Sequence, residues 1–250
     1  METETAGRAA KADEAPSGGA LGRFKTRFEA FQRTKLYDLL SAAPLLAWFG
    51  FCLAQQLPAL VRQIADTDLL TADIPSLAKL ASQIATPVFF AVLAALLALR
   101  RKPQAKSGGL YPRFAAIAGT NLGVAIVLLP RLELSSALSL IATIIVLCGT
   151  VLSIYAALSL GRSLSMFAQA RRLVINGPYR VVRHPLYASE AIALVGVTLQ
   201  YLSPLALTLL ALQLVFQLER MKNEERVLAS TFPEYRAYMA STSRILPGIY

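Results

Sequence analysis

A chain of 250 residues has room for one or two water-soluble domains, but 55% of its residues are hydrophobic and only 16% are charged, against roughly 25% charged in an average soluble protein. The apolar residues stand in unbroken runs rather than on one helical stripe, which excludes a water-facing bundle and points to a bilayer. Lys and Arg exceed Asp and Glu by ten, and the excess lies in short loops between the runs, the pattern that orients membrane helices rather than that of a nucleic-acid binder.

In chain order, residues 1–20 are polar and Ala/Gly-rich and read as disordered, and Arg23–Lys35 reads as a basic juxtamembrane helix. Residues 1–36 contain no apolar core of a cleavable signal and form a basic cytoplasmic segment in this reading. Residues 37–160 hold four apolar runs, Leu39–Val61, Leu77–Leu99, Phe114–Leu129 and Leu134–Leu160. Each predicts one membrane span, for which about 20 apolar residues suffice. A fifth run, Leu186–Leu218, is too long for one span and is interrupted at "YLSPL". There Pro204 lacks an amide donor and Ser203 can cap a new helix, so the run predicts a tight helical hairpin whose second arm continues out into Glu219–Ala229.

The sum is an all-α integral membrane protein of about six transmembrane helices, with both termini cytoplasmic. Loop charge agrees. The segment 100–113 carries Arg100, Arg101, Lys102, Lys106 and Arg113 without an acid, and the linker 161–185 carries Arg162, Arg171, Arg172, Arg180 and Arg183 without an acid. Asp66, Asp68 and Asp73 oppose Arg62 after the first run. In a bacterium this implies the inner membrane, with the basic linker facing the cytoplasm. Cys52 and Cys148 sit far apart in apolar runs, without CxxC or metal-ligand spacing, and predict neither a disulfide nor a zinc site.

The titratable chemistry is concentrated in the third region, 161–250. The only histidine lies in "NGPYRVVRHPLYASE", Asn176–Glu190. Pro185 suits a first helical position with His184 as the cap before it, which leaves free N–H groups and a positive helix end facing the linker. Tyr187 falls in the first turn, and Glu190 one turn deeper, where a carboxylate is expensive and marks function by default. On the second arm Gln213, Gln217, Arg220 and Glu224 are spaced 4, 3 and 4 and share one helical face. Each feature has a plain alternative: orientation for any one arginine, simple capping for His184, an exposed i,i+4 pair for Arg220 and Glu224, interfacial anchoring for Tyr37, Trp48 and Tyr201, inert packing for the cysteines. The joint pattern outweighs these, because it places both polar clusters at one end of one hairpin.

These residues resemble a known family. "GPYRVVRHPLY", an apolar hairpin, then "R-x-x-x-E-E-R-x-L" and "FPEYRAYMASTSRILPGIY" are similar to the isoprenylcysteine carboxyl methyltransferases, in a wider group with the membrane phospholipid N-methyltransferases. The resemblance runs from about Leu160 to Tyr250, with "LGRSLSMFAQARRLVINGPYR" as its lead-in. It implies a membrane methyltransferase that uses S-adenosylmethionine in a pocket built from linker, hairpin and tail, here the catalytic region 161–250. By position it implies that Arg172, Leu173 and Val174 line the cofactor, that Gly177 and Tyr179 shape the turn around it, and that His184, Pro185 and Tyr187 enclose it. Glu224 would hold its charged part, and Arg220 would face the acceptor, with Glu190 and Gln217 beside it. The sequence departs from the family at Ala188–Ser189, where a Gly is usual, at Glu190, and at Pro233.

The expected acceptor is a lipid or lipidated carboxylate, because a carboxylate is already ionised at neutral pH and a site with one histidine need only orient and desolvate it. Three alternatives stand beside it. A phospholipid amine would need Glu190 or His184 as a base. An NADPH-dependent membrane reductase would use the arginines on an extra phosphate. A non-catalytic scaffold would leave the polar face without purpose.

Overall fold

The computed structural model describes residues 34–69 and 71–248, with Phe24, Arg27 and Phe31 as isolated helical positions before them. The expected disordered segment and most of the basic helix lie outside the described residues. Seven α-helices occur among those described: α1 (Lys35–Asp66), α2 (Ile74–Leu99), α3 (Tyr111–Val127), α4 (Ser136–Leu160), α5 (Pro185–Gln200), α6 (Pro204–Thr231) and α7 (Tyr235–Ser241). Thr34, Asp73, Ser135 and Ser203 cap α1, α2, α4 and α6 by accepting a first-turn N–H. Pro204 opens α6 as the "YLSPL" break predicts, and α6 runs without interruption past Ala229.

Four helical segments are long and apolar enough to cross a membrane, 35–66, 74–99, 136–163 and 204–231. The third and fifth expected spans are shorter, with 17 residues in α3 and 16 in α5. At 1.5 Å per residue each rises about 25 Å, less than a hydrocarbon core of about 30 Å.

Helix pairing departs from the expected tight hairpin. The turn between α5 and α6 is short, but α5 packs chiefly on α4, and α6 on α3, while α1 packs on α2 and α2 on α4. Glycine explains the first contact: a Cβ on Gly149 would stand 2.3 Å from the Ala193 amide nitrogen, and one on Gly196 would stand 2.8 Å from the Ala142 carbonyl. The arms of the hairpin therefore diverge and leave space between them. One element breaks the all-helical pattern. Strand β1 (Ala105–Lys106) pairs antiparallel with β2 (Gln169–Ala170), joining the two basic segments.

Candidate functional site

The linker reaches α5 through a tight turn at Gly177–Arg180, which Gly177 opens at φ +62°, a conformation that disfavours any side chain. Tyr179 in this turn is buried. The next residues pair with the C-terminal tail. Val182 bridges Ser243 in parallel, Arg183 N–H donates to the Ser243 carbonyl at 2.8 Å, and His184 N–H donates to the Arg244 carbonyl at 3.0 Å. The Tyr238 hydroxyl donates to the Tyr179 carbonyl from α7. Burial pushes the Tyr238 phenol up to about 12 and raises that of Tyr179 well above its usual value, so both remain neutral donors at physiological pH.

His184 occupies the cap position of α5, but its side chain makes no capping bond. Its Nε2 lies 3.1 Å from Glu225 Oε1 instead. Glu225 also faces Arg183 Nε at 3.0 Å and Arg244 Nη2 at 2.7 Å, all partly or fully buried. A second buried carboxylate, Asp38, receives Arg100 at 2.8 Å and Arg171 at 2.9 Å. Neither cluster figures in the sequence reading. The sequence signal for Glu225 is the doubled glutamate of "NEER", whose second member falls off the Arg220–Glu224 face. For Asp38 it is a lone acid at the mouth of an apolar run.

Between the diverging helices lies a cavity of about 630 Å³. Of the residues expected at the cofactor, Arg172, Leu173, Val174, Tyr179, His184, Tyr187 and Glu224 line it, as do Arg220, Glu190 and Gln217 expected at the acceptor. Gly177 and Pro185 do not line it; Pro185 is buried at the start of α5 and Gly177 is exposed in the turn. The 4, 3, 4 stripe of α6 faces the cavity throughout, since Gln213 lines it too. Gln213 bridges α6 to α3, donating to the Gly119 carbonyl and accepting from Gly123 N–H at 3.2 Å. Trp48, expected as an interfacial anchor, also lines the cavity, and Tyr201 is buried, its hydroxyl accepting from Arg131 Nε at 3.1 Å.

Arg220 and Glu224 do not pair with each other. Glu224 Oε2 accepts the Tyr187 hydroxyl at 3.1 Å, while the Arg220 guanidinium lies 5.0 Å from the centre of the Tyr187 ring. Arg220 Nη2 donates to the Met166 carbonyl at 3.2 Å and Nη1 lies 3.5 Å from Thr120 Oγ1, but its buried Nε has no hydrogen-bond partner among the described residues. Gly119 makes room for this side chain, since a Cβ there would stand 2.9 Å from Arg220 Cδ. Beside it, Gln217 Nε2 is 3.5 Å from Glu190 Oε2. Beyond the charged end the cavity wall is mostly apolar, with residues such as Phe49, Phe89, Leu93, Val124 and Val146, although Gln55, Gln56 and Thr86 also belong to it.

The site is thus a helix-walled chamber, charged at one end and mostly apolar beyond it, in a chain with membrane-length helices. Residues 138–235 match the model of the phospholipid methyltransferase family, and the match spans "GPYRVVRHPLY" and "EER", the motifs on which the resemblance rests. The match begins inside α4, upstream of the Leu160 boundary, and ends at Tyr235. Over 79 residues the chain is also 35% identical to the cobalt-zinc-cadmium resistance protein CzcN of Cupriavidus metallidurans, covering 31% of this chain and 36% of that protein. The chain therefore spans about a third of the length of that curated relative.

Proposed function

We propose that the protein is an S-adenosylmethionine-dependent membrane methyltransferase that esterifies a carboxylate on a lipid or lipidated acceptor. One observation carries this reading: two stretches some forty residues apart, around His184 and around Arg220–Glu224, line one cavity whose remaining wall is mostly apolar. The donor has a cationic sulfonium and an amino-acid zwitterion, and the charged end offers both signs. Glu224, whose Oε2 accepts the Tyr187 hydroxyl, suits the ammonium, and exposed Arg172 suits the carboxylate. Leu173, Val174, Tyr179 and His184 would enclose the remainder. When bound, the cofactor supplies an electrophilic methyl group.

The chain's own part is positional. Arg220, held by Met166, Thr120 and the Tyr187 face, has a fixed guanidinium whose Nε is unspent, and would take the acceptor carboxylate. The acceptor is an anion well above pH 4, so no base is required, and the oily walls exclude competing water. The acceptor tail would lie among α1, α2 and α3. Neither α1 nor α2 packs extensively on α3, so a tail can enter sideways from the bilayer.

Calorimetry of the purified protein with S-adenosylhomocysteine and with NADPH tests the donor, with binding of the first and not the second expected; the reverse would identify a reductase. Mass spectrometry of membranes given a labelled methyl donor then identifies the acceptor. Glu190 favours a second reading, because a carboxylate at the acceptor end suits an amine that must lose a proton before attack. A rate that climbs with pH through the amine's titration and collapses in Glu190→Gln supports the amine; a flat rate above about pH 6 supports the carboxylate.

A further inference from the structure

The Asp38–Arg100 ion pair fixes the register of antiparallel α1 and α2. Gln55 lies seventeen residues beyond Asp38, and Gln83 seventeen before Arg100. At 1.5 Å per residue both amides stand about 26 Å from that pair, near the opposite edge of an apolar layer of about 30 Å. Gln55 and Gln56 both line the cavity, with Cys52 and Thr86 beside them. Arg171, bonded to Asp38, lines it at the other end. In the frame of α1 the cavity is therefore about 26 Å deep, well beyond one leaflet's share of the core.

Polar amides in this place need an account. Leu57 to Val61 follow them, mostly apolar, so they lie within the oily run rather than after it. The side chains of Gln55 and Gln56 have no hydrogen bond among the described residues. At the same depth, the buried Oε1 of Gln83 has no partner either. Gln55 is exposed and Gln56 half-buried, so both amides stand open on the cavity wall and are available to a ligand, whereas Gln83 does not line the cavity.

We propose that this remote end of the cavity is a second recognition subsite, where the Gln55 and Gln56 amides hydrogen-bond an oxygen function, hydroxyl or carbonyl, at the far end of the acceptor's tail. The inference rests on the reading of the cavity as an acceptor site. The acceptor is then an amphiphile with polar groups at both ends: an ionised head at Arg220 and an oxygen at the glutamines. The cavity selects tails by length as well as by polarity, because one end is fixed by the guanidinium and the other by the amides.

Trp48, the only tryptophan, lines the cavity between the two ends and reports occupancy by its fluorescence. The probes are ω-hydroxy fatty acids of stepwise increasing chain length, each compared with its unsubstituted acid on the full-length protein in nanodiscs. One length of hydroxy acid should bind about three- to tenfold more tightly than its plain counterpart, the worth of one net hydrogen bond. In Gln55→Leu/Gln56→Leu that preference should vanish while the plain acid still binds, which also shows that the variant is folded. Equal or tighter binding of the plain acids to the unaltered protein, an unchanged preference in the double variant, or no binding of either series would each overturn the proposal. Loss of the methyltransferase reading shows separately, as no calorimetric signal with S-adenosylhomocysteine.

Discussion

Asp38 and Glu225 are both buried carboxylates ringed by cations, yet they join different kinds of chain. Asp38 draws in Arg100 from the end of α2 and Arg171 from the linker, partners 62 and 133 residues away. Glu225 draws in Arg183 and His184 from the start of α5 and Arg244 from the tail, 41 residues upstream and 19 downstream for the last two. The first cluster ties the two leading helices to the linker. The second closes the tail over the charged end of the cavity, and two of its members, Arg183 and His184, line that cavity, against Arg171 alone in the first. The difference separates a cluster that sets the architecture from one that shapes the site.

Removing each carboxylate should expose that difference. Asp38→Ala leaves two buried guanidinium groups uncompensated, and breaking a buried pair in this way costs about 3–5 kcal/mol. We expect the largest fall in denaturation midpoint here, with ligand binding lost only because the protein unfolds. Glu225→Gln keeps the volume and one acceptor oxygen but removes the charge that gathers three cations. Its midpoint should drop less, while S-adenosylhomocysteine affinity falls about tenfold, or ~1.4 kcal/mol. Equal losses of stability with unchanged ligand affinity in the Glu225 variant would erase the distinction.

Arg220→Ala is next in size, and it acts at one end of the cavity only. Turnover of a lipid acceptor should fall by about a hundredfold, in the range for truncating one partner of a buried charge pair. S-adenosylhomocysteine binding should persist. Gly119→Ala is the milder version, since its methyl group would crowd Arg220 Cδ without removing the guanidinium. A loss of cofactor affinity in either variant would move Arg220 from the acceptor to the donor.

Much of this was legible from the chain. Ser203 and Pro204 restart a helix wherever they follow an apolar arm, and the 4, 3, 4 spacing of Gln213, Gln217, Arg220 and Glu224 can only describe one face. Local signals of this kind survive folding. The divergence of the hairpin was not legible, because it depends on Gly149 and Gly196 letting α4 and α5 approach, and a glycine in an apolar run does not name its neighbour. The same holds for the arginines. Loop charge explains Arg171 and Arg183 as orientation signals, and only three-dimensional proximity to Asp38 and Glu225 turns them into buried ion pairs.

The smallest effect concerns the tail. Tyr238 donates to the Tyr179 carbonyl, and it packs on Tyr235 with ring centres 5.7 Å apart. Tyr238→Phe keeps the ring and removes the donor, at a cost of about 1 kcal/mol to the closed tail. Its phenol is raised from 10 to about 12 in the folded chain, first by burial, although nearby Arg183 pulls the other way. A raised value in the folded state means the neutral form stabilises the fold. That contribution is complete below pH 10, declines as the pH passes from 10 towards 12, and is absent above it. Base titration of stability should therefore show a step between pH 10 and 12 in the unaltered protein that is smaller in Tyr238→Phe. Tyr179 and Tyr235, also raised, supply what remains of the step. If the two titrations superimpose, the tail is held by the Glu225 cluster alone, and the contrast with Asp38 narrows to a single carboxylate.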